Sequence, residues 1–275
     1  MTITTRAAAC LVLLLASAGC RDDAPPLLVL ATTTSVGHSG LLDTLVPAFR
    51  VRTGITLRAH LVGSGQALRM LERGDVAVVI SHAPKREAEF LARNAGWSYR
   101  KIMFNDFVLT GPPADPAGVG GARTAREAMA RIARLDATFV SRGDSSGTHE
   151  REEDLWRAAA ARPTGSRLIV AGQGMAGTLR VASQIGAYTL CDRATVVQLA
   201  PAVSVQILFG GDPALINTYA VILPRNASPA ARRFAEWLCR GPGRDVIAGY
   251  RVRDAAAFTA WPSDREGSRP FDLPR

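Results

Sequence analysis

The chain has 275 residues, 47% of them hydrophobic and 6% aromatic, with a formal net charge of +9. That length and apolar content can bury one large core or two smaller ones, and no low-complexity tract interrupts it. The positive charge is dispersed, Lys85 and Lys101 are the only lysines, and no basic run interleaves with aromatics, which argues against nucleic-acid binding.

The N-terminus reads as an export signal. Arg6 precedes the apolar run Ala7–Cys20, too short for a comfortable membrane span and suited to a signal-peptide core. The run ends Ser17-Ala18-Gly19-Cys20, small residues before a cysteine, as in a bacterial lipoprotein signal. Residues 1–19 are therefore expected to be a signal peptide, with a lipid on Cys20. Cleavage near Ala18 by an ordinary signal peptidase is the alternative, since Ser17 stands where lipoprotein signals prefer Leu. Residues 20–26 read as a tether.

From Leu27 onward strands and helices alternate. Leu27–Ala31 reads as a buried strand, and Gly40–Arg52 as an amphipathic helix stopped by Gly54. Ile55–Leu61 and Val76–Ile80 are expected strands, with a helix at Gln66–Arg73 between them and another at Lys85–Asn94. Ile102–Thr110 is a longer strand, broken by the glycine- and proline-rich stretch after it. Helices are expected at Thr124–Arg134, from about Thr148 to Ala161, and at Met175–Ile185. They are interleaved with strands at Thr138–Ser141, Leu168–Val170 and Tyr188–Cys191. Strands at Val203–Phe209 and Thr218–Leu223 and helices at Pro229–Arg240 and Gly243–Tyr250 close the chain. The alternation predicts an α/β fold with mainly parallel sheets. The breaks near 111–121 and 210–217 predict two α/β lobes joined by a two-strand hinge. Residues 27–111 and 211–275 would form a discontinuous lobe 1, and 112–210 lobe 2, with the ligand between them.

Four strand-to-helix turns share one chemistry. They are Thr32-Thr33-Thr34-Ser35, Gly63-Ser64-Gly65, Ser141–His149 and Gly172–Thr178. Each is small, hydroxyl-bearing or glycine-rich. A helix N-terminus offers free N–H groups and the positive end of its dipole. Glycine admits close approach, and Ser and Thr add hydroxyl donors. Any one of these turns is by itself an ordinary helix cap. Four of them around a cleft make an anion cradle, and Arg142 adds a guanidinium fork suited to an oxyanion. An ion pair with Asp144 or Glu150 is compatible with that role.

Cys191 and Cys239 are the cysteines of the mature body, and their pairing stays open. His38, His60, His82 and His149 lack zinc-ligand spacing, so no metal is expected. The turn "GDSSG" (Gly143–Gly147) is like a serine-protease nucleophile turn. No suitable His precedes it, and the alternating pattern does not suit an all-β protease, so an enzyme is not expected.

The motifs "ATTTS", "HAP", "SRGDSSGTHERE", "GQGMAGTL", "AYTLCDRATV" and "GDPALINTYAVI" closely resemble those of the tungstate-binding family. That family lies among the type II periplasmic solute-binding proteins of ABC importers. The resemblance covers nearly the whole mature chain. It implies a clamshell that closes on tungstate or molybdate and delivers it to a membrane permease, as a monomer with no cofactor, in the periplasm or anchored outside the cell membrane. The donors suited to the anion are Thr33, Thr34, Ser35, Ser64, Arg142, Ser146, Gly147 and Thr148. His82, Gly174, Met175 and Tyr188 are secondary candidates. Phosphate binders of the wider family have "SDAP", whose aspartate accepts a phosphate proton. Here the segment is Ser81-His82-Ala83-Pro84, which favours a bare dianion. Cys191 stands where the family usually has Ser or Thr. A binder of sulfate or phosphate, or an exported anion sensor, is the alternative.

Overall fold

A computed structural model of the chain describes residues 26–264 and 267–274; the expected signal peptide, Cys20 and all of the tether but Pro26 lie outside them. The first half runs β1 (Leu27–Thr33), α1 (Thr34–His38), α2 (Leu41–Thr53), β2 (Thr56–Val62), α3 (Ser64–Arg73), β3 (Val78–Ser81), α4 (Pro84–Arg93) and β4 (Ser98–Gly111). Then come α5 (Ala125–Arg134), β5 (Phe139–Ser141), α6 (Gly147–Ala159), β6 (Leu168–Val170), α7 (Met175–Ile185), β7 (Thr189–Asp192), α8 (Arg193–Leu199) and β8 (Gln206–Phe209). The chain finishes with β9 (Ile216–Leu223), α9 (Pro229–Cys239), α10 (Pro242–Gly249) and the short strands β10 (Arg251–Val252), β11 (Ala255–Ala256) and β12 (Thr259–Ala260).

Two α/β lobes result. In lobe 1 the sheet order is β12-β4-β9-β3-β1-β2. Strand alternation gives this sheet two apolar faces. Leu28, Leu30, Val78 and Ile80 pack with Leu45 and Phe49 of α2 and with Phe234 and Trp237 of α9. Ala31 and Val79 face the other way, toward Leu68 and Leu71 of α3 and Phe90 of α4. Lobe 2 has its own core of Phe107, Leu109, Met129, Ile132, Phe139, Leu155, Trp156 and Leu215. Within it the Phe139 and Trp156 rings meet edge to face with centroids 4.9 Å apart.

The hinge is built on β4. Its first part, Ser98–Asp106, pairs with β9, whereas Phe107–Thr110 pairs with β7 and Leu109–Gly111 with β8. The second crossing lies where Leu215, packed in the lobe 2 core, gives way to β9.

Strand direction departs from the expectation of mainly parallel sheets. β1 pairs parallel with β2 and β3, and β5 with β6, but β3–β9, β4–β9, β4–β7, β4–β8 and β4–β12 are antiparallel. The cause is the crossing itself: β4 leaves lobe 1 and β9 returns beside it, so outgoing and incoming chain lie side by side. Cys191 and Cys239 are both free thiols. No helix of the described residues is long and apolar enough to cross a membrane.

Candidate functional site

The first wall of the site is the β1–α1 junction. Thr33 is extended, with φ −82° and ψ 152°, and its Oγ1 accepts the Val36 N–H at 3.3 Å, capping α1. Ser39 ends the helix after five residues, its hydroxyl donating to the Val36 carbonyl at 2.8 Å. Thr32, Thr33 and Ser35 are buried, and the Thr32 and Ser35 hydroxyls have no hydrogen-bond partner among the described residues. Buried hydroxyls without partners are uncommon and call for an explanation. Ser64, the first residue of α3, is also fully buried, and its Oγ accepts the His82 backbone N–H at 3.3 Å.

The opposite wall is the β5–α6 turn of lobe 2. Arg142 is only 2% exposed, although it carries a permanent charge. Its Nε donates to Asp144 Oδ2 at 2.9 Å, its Nη1 to Thr148 Oγ1 at 3.2 Å and its Nη2 to Thr34 Oγ1 at 3.0 Å. One guanidinium therefore joins both lobes. The turn is tightly specified. Gly143 has φ +65°, and a Cβ there would lie 2.2 Å from Val170 Cγ1. Asp144 Oδ1 accepts the Ser146 N–H at 3.0 Å, and Ser146 Oγ caps α6 by accepting the His149 N–H at 3.3 Å. A Cβ on Gly147 would lie 2.3 Å from the His82 carbonyl oxygen, so glycine lets the lobes meet.

These contacts link the four turns in a chain. Ser64 holds His82, His82 abuts Gly147, Arg142 bonds both Thr148 and Thr34, and a Cβ on Gly174 would come within 3.8 Å of Thr34 Oγ1. The predicted Thr33, Thr34, Ser35, Ser64, Arg142, Ser146, Gly147 and Thr148 thus belong to one linked region, with Gly174 beside it. Met175 offers its place at the start of α7, but its side chain packs in the core against Leu179, Cys191 and Val196. Tyr188 points elsewhere. Its hydroxyl accepts the Ala117 N–H at 2.8 Å and donates to Asp115 at 3.0 Å, and burial pushes its pKa up to about 12. Cys191 is fully buried, and that burial pushes its thiol pKa up.

His82 is a buried neutral imidazole. It stacks on Tyr219 with centroids 4.9 Å apart, and its Nδ1 lies 2.9 Å from Asn217 Oδ1. The Asn217 amide nitrogen donates to Asn105 Oδ1 and to Tyr219 Oη, both at 2.8 Å. Asn217 Oδ1 is thereby the acceptor, and His82 carries its proton on Nδ1. Burial brings the His82 pKa down to about 4.

Three further residues shape the site without having been singled out from the sequence. Asp192 is buried and caps α8, its two oxygens accepting from the Thr195 N–H at 2.9 Å and the Thr195 hydroxyl at 2.8 Å; burial raises its pKa, with the Arg142 charge opposing. Glu152 Oε2 accepts the Arg142 N–H at 3.2 Å, and burial raises its pKa to about 7. Asn217 is the third. Glu152 had a readable signal: it follows Thr148 by four positions and precedes Leu155 and Trp156, on the buried stripe of α6. Asn217 and Asp192 lie inside two of the quoted motifs, but as single polar residues at strand ends they carried no local mark of their role.

A model of the PBP superfamily domain matches residues 17–240. The chain is 36% identical over 232 residues to the tungstate-binding protein TupA of Peptoclostridium acidaminophilum, covering 81% of each chain. Among solved structures it resembles the tungstate ABC transporter protein of Geobacter sulfurreducens, at 39% identity and TM-score 0.75, covering 82% of this chain and 98% of that one. It is also similar to TupA of Desulfovibrio alaskensis G20, at 38% identity and TM-score 0.73, covering 86% of this chain and 98% of that one.

Proposed function

The chain belongs to the PBP superfamily, and from its likeness to tungstate-binding proteins we propose that it captures tungstate or molybdate between its lobes and delivers it to an ABC import permease. The observation that carries the reading is Arg142, a buried guanidinium bonded to Thr148 of its own lobe and to Thr34 of the other. An oxyanion placed against it meets the hydroxyls and helix N-termini of both walls, so binding favours the closed lobes. A nanomolar site requires about 12 kcal/mol. Six to eight charge-assisted hydrogen bonds at roughly 1.5–3 kcal/mol each supply that after the cost of closure. No covalent step is involved; the function is binding and transfer.

The charge arrangement favours a fully deprotonated dianion. Both oxygens of Asp144 and both of Asp192 already accept hydrogen bonds. Where the phosphate binders' pattern has an aspartate stands neutral His82, its Nδ1 proton turned to Asn217. At that position a protonated oxyanion therefore meets a neutral imidazole in place of a carboxylate that would receive its proton. We read the protein as exported by its leader, acting outside the cytoplasm as a monomer and held to a membrane by a lipid on Cys20. We place the lobe crossings between Asp106 and Phe107 and between Leu215 and Ile216; the partner switch in β4 and the packing of Leu215 support this.

Titration calorimetry with tungstate, molybdate, sulfate and phosphate tests the reading. Tight binding of the first two and weak binding of phosphate is the expected result. No heat with either metal oxyanion would overturn it, and tight phosphate binding would overturn the dianion argument.

A further inference from the structure

We propose that Glu150 is a closure residue: it sets how long the anion is held by capping helix α4 from the opposite lobe, without touching the anion. The proposal rests on the oxyanion reading above for its ligand. Its geometry stands independently. Helix α4 opens with Ala83 as N-cap and Pro84 at the first position, so neither a capping side chain nor a first N–H is present. Glu87, within the same helix, takes the Ala83 N–H at 2.9 Å. The next N–H, that of Lys85, is taken by Glu150 Oε1 at 2.9 Å. Glu150 lies in the first turn of α6, in lobe 2, and α4 belongs to lobe 1.

The carboxylate thus sits at the positive end of a helix that is not its own. Burial raises the Glu150 pKa, while the Lys85 and Arg86 N–H groups favour its charged form. Two neighbouring contacts follow the same seam. One turn before, Gly147 meets the His82 carbonyl; one turn after, Asp154 pairs with the Lys85 ammonium and with Arg157 at 2.6 Å. Three successive turns of α6 therefore lie against the segment 82–85. Opening the lobes separates α6 from α4 and returns both Glu150 and the Lys85 N–H to water. A contact made only in the closed form slows release and leaves encounter unchanged.

Stopped-flow binding of tungstate to the full chain tests this. We expect Glu150→Ala to raise koff about tenfold, with kon within about twofold of the parent. Glu150→Gln keeps an acceptor oxygen but loses the charge, and should raise koff about threefold. The melting temperature of the anion-free protein should stay where it is, since the open lobes lack the contact. An unchanged koff, or a fall in anion-free stability that accounts for the change, would overturn the proposal. If the parent protein binds neither tungstate nor molybdate, the oxyanion reading fails on its own. The same stopped-flow comparison with sulfate or phosphate then decides the closure role: an unchanged koff for Glu150→Ala would overturn it, and binding of no oxyanion at all would overturn both readings.

Discussion

Arg142 and Gly147 make separable demands on the site. Removing the guanidinium by Arg142→Ala should lower tungstate affinity by about a thousandfold or more, because a buried anion loses its one direct cationic fork. Circular dichroism should be unchanged, and calorimetry reads the loss. Gly147→Ala leaves every donor in place but sets a Cβ 2.3 Å from the His82 carbonyl oxygen. It should therefore weaken binding by holding the lobes apart, with little effect on the melting temperature of the open protein. Glu152 and His82 give the protein two opposed pH responses. The Glu152 pKa is raised to about 7, so between its ordinary value and 7 the folded state holds the extra proton, and stability falls as pH rises. The His82 pKa is lowered to about 4, so the unfolded state holds the extra proton up to about 6.5, and stability rises with pH. The two nearly cancel. Glu152→Gln should unmask the His82 dependence, seen in urea melts as stability climbing by about 2 kcal/mol or more from pH 4.5 to 6.5.

At the scale of elements, the N-termini of α3, α6 and α7 were legible because hydroxyl and glycine residues before a helix have a specific backbone reason to be there. Ser146 illustrates it. As N-cap of α6 it should lose about 1 kcal/mol of stability on change to Ala, measured by chemical denaturation. Other elements were not legible. α1 has five residues and α8 seven, too few for a helical period to show, and the Thr run leading into α1 reads equally as an extended cap. Sheet direction was also hidden. A strand's alternation reports which faces are buried, and β9 is buried on both whichever way it runs. The site shows the same division. Arg142 and its hydroxyl partners lie close to their own turns, whereas Asn217 reaches His82 from 135 positions away, a pairing that only the tertiary fold reveals. Tyr188, which sits in a motif shared with the family, turned out to serve the lobe 2 core through Asp115 and Ala117.

For the whole molecule, the anion acts as a bolt between two cores. Binding at a thousand times Kd adds about 4 kcal/mol to the stability of the bound form. For a chain of this size that should raise the melting temperature by about 10 °C, with a single transition if both lobes are held together. Differential scanning calorimetry with and without tungstate measures it.

The 14-residue strand β4 has a consequence for how the chain is made. It anchors both sheets, but the strand beside it in lobe 1, β9, begins only at Ile216, after all of β5 to β8. Until that strand emerges from the ribosome, β3 and β4 have an empty seat between them, whereas the smaller lobe already has most of its parts. Pairing across so long a stretch of sequence is slow. Lobe 2 should therefore mature first, and lobe 1 should linger unfinished until β9 takes its place. In refolding experiments on single-tryptophan variants, Trp156 should reach its native fluorescence before Trp237.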